Sequence, residues 1–413
     1  MRVLFAHQNF PGQFRHLAAA LVESGNQVHA MTMNDAAPIP NGVTATRSIS
    51  RHGSDSKDSW ARDMEAKVIR AHVTLESAVG LRQEGYVPDV IVGHPGWGDT
   101  LFLKNVWPEA RFGIYCEFFY EAQGTDINFD PEFKSAGDPI IANCRAKLKA
   151  LTQRLHFPMA NAGISPTHFQ ADTYPDEFHD RITVIHDGID TRNIRPRPDA
   201  GIQLGGGKRL TCQDEVITFV ARNLEPYRGY HIFMRALPKL LRGRPNARVI
   251  IVGGNGVSYG AAPPEGSWRE RFLGEVVGEL DMSRVHFVGN IPYDVFTQLM
   301  AVSKVHVYLT YPFVLSWSLL EAMASGTAVV ASDTAPLQEV ISHGETGLLF
   351  PFFDPDALAA QVCSLLEDEP RRASMAAKAR EHVIANYDLT TVSLPRQMEW
   401  LQSLYEAEPL PPF

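Results

Sequence analysis

Short apolar runs alternate with longer stretches of helical period along almost the whole chain. In the first half the runs are 2–7 (RVLFAH), 27–33 (QVHAMTM), 89–94 (DVIVGH), 111–118 (RFGIYCEF), 159–165 (MANAGIS) and 181–186 (RITVIH). In the second half they are 216–222 (VITFVAR), 248–253 (RVIIVG), 284–289 (RVHFVG), 305–311 (VHVYLTY), 327–332 (TAVVAS) and 347–350 (GLLF). Nearly continuous apolar runs predict strands covered on both faces, hence parallel strands joined by helices. Repeated βα units predict an α/β fold of doubly wound, Rossmann-like sheets. The 413 residues allow two or three domains.

Between the halves, "RPRPDAGIQLGGGKR" crowds two prolines and four glycines together, which reads as a linker. The expected division is a first Rossmann-like domain over 1–195, a linker over 196–214 and a second Rossmann-like domain over 215–389. The tail, 390–413, reads as a helical segment that packs back on the first domain. In open parallel sheets, ligands sit at the carboxyl ends of the strands, so chemistry is sought just after each run.

Composition narrows the classes. A formal net charge of −9 argues against a generic nucleic-acid binder. Cys116, Cys144, Cys212 and Cys363 are scattered without a C-x-x-C, which suits a reduced, cytoplasmic protein. No charged leader precedes the first run, and no apolar run approaches the roughly 20 residues of a membrane span. One stretch, 145–157 (RAKLKALTQRLHF), sets Arg145, Lys147, Lys149 and Arg154 around Leu148, Leu151 and Leu155. It reads either as an ordinary surface helix or as a peripheral contact with the inner face of an anionic membrane.

In the second half, "ARNLEPYRG" places Arg222 at a strand end and Arg228 six residues later, before Gly229. Two guanidiniums beside a helix start suit a diphosphate; the plainer alternative is two surface arginines. "GGNGVSYG" follows the next strand, and its Gly254 permits close backbone approach or simply turns the chain. After 284–289, Asn290, Ile291, Pro292 and Tyr293 border a base pocket or only start a helix. "PFVLSWSLLEAMASG" carries Glu321 within an apolar helical segment. There Ser318-Leu-Leu-Glu321 reads as a capping box, or Glu321 accepts ligand hydroxyls. Asp354-Pro-Asp356 reads as a helix cap with proline at the first turn, so no metal is expected.

These second-half stretches, with "LLEAMASGTAVVASDTAPLQEVISHGETGLLF" and "DPDALAAQVCSLLEDE", resemble the retaining glycosyltransferases of family 4 strongly over 215–385. The first half resembles them more weakly, through "FPGQFRHLAAALVESGNQVHAMT" and "VIHDGID". The resemblance implies the GT-B architecture, two doubly wound domains facing each other across a cleft. It implies a hexose-type sugar moved from a nucleotide diphosphate sugar to a glycan, lipid-linked or small-molecule acceptor, without metal or other cofactor. Arg222 and Arg228 then match the basic pair on the donor diphosphate. Glu321 matches the ribose-holding glutamate of E-x7-E, and the backbone at Leu315 and Ser316 matches amides facing the β-phosphate and sugar. Gly12, in the first loop "HQNFPGQF", matches the glycine turn facing the donor phosphates. The first glutamate of E-x7-E falls at Phe313, which cannot accept a hydrogen bond. That departure keeps two alternatives open: a nucleotide-sugar hydrolase, and a non-catalytic nucleotide-sugar or glycan binder.

On the acceptor side the strand ends offer His94 in "VGHPGWGD", or Glu117 and Tyr120 in "EFFY". With Arg222 and Arg228, His94 and Glu117 complete the candidate catalytic set. His7 and His16 are weaker candidates. Each first-half histidine also has a purely structural reading.

Overall fold

The computed structural model describes residues 1–50, 52–134 and 137–412. Arg51, Ser135 and Ala136 of the expected first domain, and Phe413 at the end of the expected tail, lie outside the described residues. The chain divides into two compact units. One comprises Met1–Gly188 with the tail from Thr390, and the other Ile189–Leu389.

The first unit holds seven strands: β1 (Arg2–Ala6), β2 (Gln27–Thr32), β3 (Thr44–Arg47), β4 (Val90–Gly93), β5 (Arg111–Tyr115), β6 (Ala162–Ser165) and β7 (Ile182–Val184). They form one sheet in the order β3-β2-β1-β4-β5-β6-β7, with every neighbouring pair parallel. Val3, Leu4, Phe5 and Ala6 of β1 are fully buried, as a strand covered on both faces requires. The order reverses between β1 and β4, and their register pairs Ala6 with Gly93. The residues that follow, His7 and His94, therefore leave the sheet side by side.

In the tail, the helix Leu394–Glu406 belongs to this unit. Its Trp400, Leu401 and Leu404 join Val3, Phe5, Phe14 and Leu17 in one apolar cluster. A Cβ on Gly113 would lie 2.7 Å from Leu404 and 2.8 Å from Trp400, so a side chain there would force the helix off β5.

The second unit opens with a segment that sequence composition misread. Residues 196–214 are not a linker but part of this unit's core. Strands β8 (Gly201–Gln203) and β9 (Arg209–Thr211) form an antiparallel hairpin around Gly205–Gly207. Ala200, Ile202, Leu204 and Leu210 are buried in the cluster that holds Val216, Leu299 and Met300. The prolines and glycines shape turns, while the interleaved apolar residues anchor the chain.

The remaining strands are β10 (Val216–Asn223), β11 (Arg248–Gly254), β12 (Val285–Gly289), β13 (Val305–Tyr308), β14 (Ala328–Ser332) and β15 (Leu348–Phe350). They form a parallel sheet in the order β12-β11-β10-β13-β14-β15, reversing between β10 and β13. Each unit is thus a Rossmann-like α/β domain with one switch point.

No helix among the described residues is long and apolar enough to cross a membrane. The helix Pro139–His156 buries Ala146, Ala150, Thr152, Gln153 and His156, while Leu151 is exposed. Its charges do not form one free face. Arg145 stands over Trp60, Lys149 lies 3.5 Å from the Tyr120 ring centroid, and Arg154 pairs with Glu177. Lys147 alone of the four has no partner among the described residues.

Candidate functional site

In the second unit, β10 runs into the turn Pro226–Arg228, closed by Gly229 at φ 63°. A Cβ on Gly229 would sit 2.3 Å from Leu309, so both its conformation and its packing demand glycine. The two predicted arginines adopt different states. Arg228 is 8% exposed, and its Nη1 donates to Thr310 Oγ1 (2.9 Å), the Val314 carbonyl (2.9 Å) and Tyr308 Oη (3.3 Å). It also stands 5.2 Å over the Tyr259 ring. Arg228 thereby fixes the segment after β13 against the end of β10. Arg222 is exposed, with no side-chain partner among the described residues.

Glu225, between them, was not singled out in the sequence. It is fully buried, and its carboxylate accepts from the Ser258 and Tyr259 amides at 3.0–3.2 Å. Burial raises its pKa, against the pull of those amides and of Arg228. Asn223 completes the clamp: its Oδ1 accepts from the Gly256 amide and its Nδ2 donates to Ser258 Oγ. The glycine loop after β11 is therefore held by side chains at the end of β10. Gly254 comes so close to Asn223 that a Cβ would lie 2.6 Å from Oδ1. The signal for Glu225 was its place in "ARNLEPYRG", a carboxylate between two cations just before a proline.

Phe313 is buried, edge-on to Tyr259 (4.9 Å) and Tyr227 (5.6 Å), and Tyr227 packs on Tyr311. The position at which the resemblance implies a glutamate belongs here to an aromatic cluster beside Arg228. The capping box expected for Glu321 does not form. The helix Trp317–Ala324 is capped by Ser316, two residues before the expected cap, which puts Leu319 and not Glu321 at the third helical position. Glu321 Oε1 instead accepts a 2.5 Å bond from Tyr293 Oη, and burial raises its pKa. Its helix puts a carboxylate inside an apolar segment because it has a phenol to meet there. Of the two expected amides, that of Ser316 is bonded to Tyr308 Oη (2.8 Å), whereas that of Leu315 has no partner among the described residues. Asn290 is exposed and Ile291 half-buried at the end of β12.

In the first unit, the ends of β1, β4 and β5 bring His7, His94 and Glu117 together. His94 is 3% exposed, its ring 5.8 Å from that of His7. Its Nδ1 accepts from the Gly96 amide (3.2 Å), so its proton is on Nε2, which faces Glu117 Oε2 at 3.2 Å. Glu117 Oε1 accepts from Gln13 Nε2 (3.3 Å), a residue of the first loop that sequence reasoning passed over. His7 accepts from the Asn9 amide, and burial, with His94 second, lowers its pKa to about 4. Gly12, at φ 44°, lies against this ring: a Cβ would come 2.9 Å from His7 Cε1. Tyr120 lies under Lys149. His16 is exposed on the helix Arg15–Glu23.

Asp354 accepts from the Ala357 amide as a helix cap, and Asp356 pairs with Lys239. Among the described residues, no three His, Cys, Asp or Glu side chains gather as a metal site.

Two Rossmann-like domains in one chain, each with its polar cluster at the switch point, define the GT-B fold class. The comparisons give the families: residues 24–194 match the glycosyl transferase family 4 group, and residues 208–382 match glycosyl transferases group 1. The two matches lie in tandem and together span most of the chain. It is 33% identical to a phosphatidyl-myo-inositol mannosyltransferase of Mycolicibacterium smegmatis over 51% of this chain and 49% of that protein. It is 32% identical to a D-inositol 3-phosphate glycosyltransferase of Corynebacterium glutamicum over 52% of this chain and 49% of that protein. The chain thus spans about half the length of the curated relatives it matches. Among solved structures, the sucrose-phosphate synthase of Thermosynechococcus elongatus superposes with a TM-score of 0.76 at 18% identity, covering 98% of this chain and 100% of that one. HepE of Anabaena, solved with UDP-glucose, gives 0.67 at 16% identity with the same coverage.

Proposed function

We propose that the chain is a retaining, metal-independent glycosyltransferase that moves a hexose-type sugar from a nucleotide diphosphate sugar to a hydroxyl of a glycan, lipid-linked or small-molecule acceptor. One observation carries the reading: Arg222 stands exposed and unpartnered, among the described residues, at the carboxyl end of a switch-point strand. Its surroundings are fixed by Arg228, Glu225 and Asn223, so a cation is presented on a rigid frame. A cation placed there stabilises the charge that develops on a departing diphosphate, commonly a large contribution to catalysis. The Leu315 amide supplies a further donor, and Glu321, sharing its carboxylate with Tyr293, takes the ribose hydroxyls. Gly254, Asn290 and Ile291 border the nucleotide, and Gly12 turns the first loop.

On the acceptor side, His94 donates through Nε2, and Glu117 accepts both from it and from an incoming hydroxyl. The inositol-type acceptors in the relatives' names make myo-inositol phosphates and phosphatidylinositol the first acceptors to try. Peripheral contact with an anionic membrane through 145–157 is the smallest part of the proposal, resting on Lys147 beside exposed Leu151, Ile140 and Ile141.

The deciding experiment incubates the protein with UDP-, GDP- and ADP-hexoses, with and without acceptor, in the presence of a chelator. A glycosylated product formed under chelation supports the proposal. Sugar released to water would make the chain a hydrolase, and nucleotide-sugar binding without turnover would make it a binding protein.

A further inference from the structure

The chain is acidic overall, yet Arg192, Arg195 and Arg197 crowd into six residues at the start of the second unit. Like charges placed so closely repel, and a loop that keeps them together must be held from outside. This loop is. Arg380 donates to the Thr191 and Ile194 carbonyls. Ile194 and Ala200 are buried in the core. Pro196 lies against Gly326, where a Cβ would come within 2.8 Å of its ring. Cys212 Sγ reaches both the Arg197 and Ala301 carbonyls. Pro196 and Pro198 fix two further backbone angles. The anchored residues are interleaved with the arginines, of which Arg192 and Arg195 are exposed and Arg197 is half-buried.

The three arginines line an open cavity of about 420 Å³, together with Asn193 and Asp199. None of them has an ion-pair partner among the described residues; Arg197 donates to the Asn193 carbonyl at 2.9 Å. Arg195 also stands close enough to Arg380 to lower its pKa, second to burial. Asp199 is the one carboxylate among the lining residues, so the cavity keeps an excess of positive charge.

We infer that this cavity is a second anion site, built for a phosphoryl group: a phosphate monoester or a diphosphate. Planar guanidiniums bind such oxyanions in bidentate fashion, and three of them match a dianion better than a single carboxylate. The site is separate from the strand-end cluster. Its anchors, Gly326, Cys212 and Ala301, precede β14, β10 and β13, so it lies at the amino ends of these strands. Arg222 lies at the carboxyl end of β10, which is eight residues long. That places the two roughly 25 Å apart at about 3.3 Å per residue. A phosphorylated ligand here does not compete with a nucleotide at Arg222. The same chemistry is offered by a soluble phosphate compound or by the headgroup of an anionic lipid.

The test uses the full chain and inorganic pyrophosphate, titrated by calorimetry at constant ionic strength in an Arg222→Ala background. In that background we expect a saturable event that weakens at least tenfold when Arg192, Arg195 and Arg197 are all replaced by Gln. The melting temperature of the unliganded protein should stay unchanged. Co-sedimentation with phosphatidic acid vesicles, against phosphatidylcholine vesicles, separates the sources. Arginine-dependent retention assigns a lipid headgroup, and pyrophosphate binding without retention assigns a soluble ligand. Equal binding with and without the three arginines, or no binding of either probe, overturns the inference. It leaves the transferase proposal standing, because Arg222 plays no part in it.

Discussion

At the switch point of the first unit, two histidines lie ring to ring, and burial holds one of them uncharged. At the switch point of the second, one arginine is buried in three hydrogen bonds and another is exposed without a partner among the described residues. The same βα scaffold thus presents an imidazole donor and a half-exposed carboxylate in one unit, and an exposed cation beside a buried, fixed one in the other. The difference follows from what each cluster is anchored to. In the first unit, backbone amides of Asn9 and Gly96 meet the imidazoles and set their protons. In the second, buried oxygens of Tyr308, Thr310 and Val314 are arranged for a guanidinium.

The comparison breaks most sharply at the two arginines. Arg228→Ala removes a buried cation and strands its acceptors, costing about 3 kcal/mol of stability. Chemical denaturation should show that loss, together with loss of activity. Arg222→Ala should change stability by no more than about 0.5 kcal/mol. It should lower kcat/KM with a nucleotide sugar by on the order of 100-fold. Equal stabilities for the two variants would contradict the division of roles. Glu225→Ala should come next, freeing the Ser258 and Tyr259 amides. We expect a cost of about 2 kcal/mol and faster hydrogen exchange over 255–260, read by mass spectrometry.

Acid should separate the units. Burial depresses His7, His156 and His186 of the first unit to about 4 from the usual 6.5. The unfolded chain therefore binds more protons below pH 6.5, and stability is lost as pH falls from there toward 4. Each group contributes roughly 1.4 kcal/mol per pH unit at most. Asp99, raised by burial to about 6, acts in the opposite sense over part of that range. In the second unit, His306 is likewise depressed, to about 3. We expect exchange protection of β1 and β4 to fall before that of β10 and β13 as pH drops to 5. The reverse order would contradict the assignment. The smallest effect is expected from Gly12→Ala, about 1–2 kcal/mol from the left-handed backbone and the His7 contact. A silent substitution would mean that the loop relaxes.

How much was legible in the sequence also differs between the units. Strands β1 and β13 and the buried first half of β10 declare themselves as apolar runs, and the residues just after them form the candidate site. β3, with exposed Thr44 and Arg47, and the hairpin of β8 and β9 carry no such run. Proline and glycine therefore outweighed the alternating Ile202, Leu204 and Leu210. Partners distant in sequence stayed hidden for the same reason: nothing local in "ARNLEPYRG" says that Glu225 will meet residues 258 and 259. The capping box at Ser318 was a sound local pattern overruled by Ser316 and Tyr293, contacts that only the fold supplies.

The central claim is that Arg222 holds a nucleotide diphosphate on a frame that does not depend on it. The direct measurement is the melting temperature of the wild-type protein and of Arg222→Ala with UDP, GDP and ADP, without metal. At about 100 times its dissociation constant, a ligand adds roughly 2.7 kcal/mol. We expect a rise with at least one nucleotide in the wild type, its loss in Arg222→Ala once Arg192, Arg195 and Arg197 are also replaced by Gln, and equal melting of the unliganded proteins. A rise that survives when Arg222 and these three arginines are all replaced, or none with any nucleotide, would contradict it.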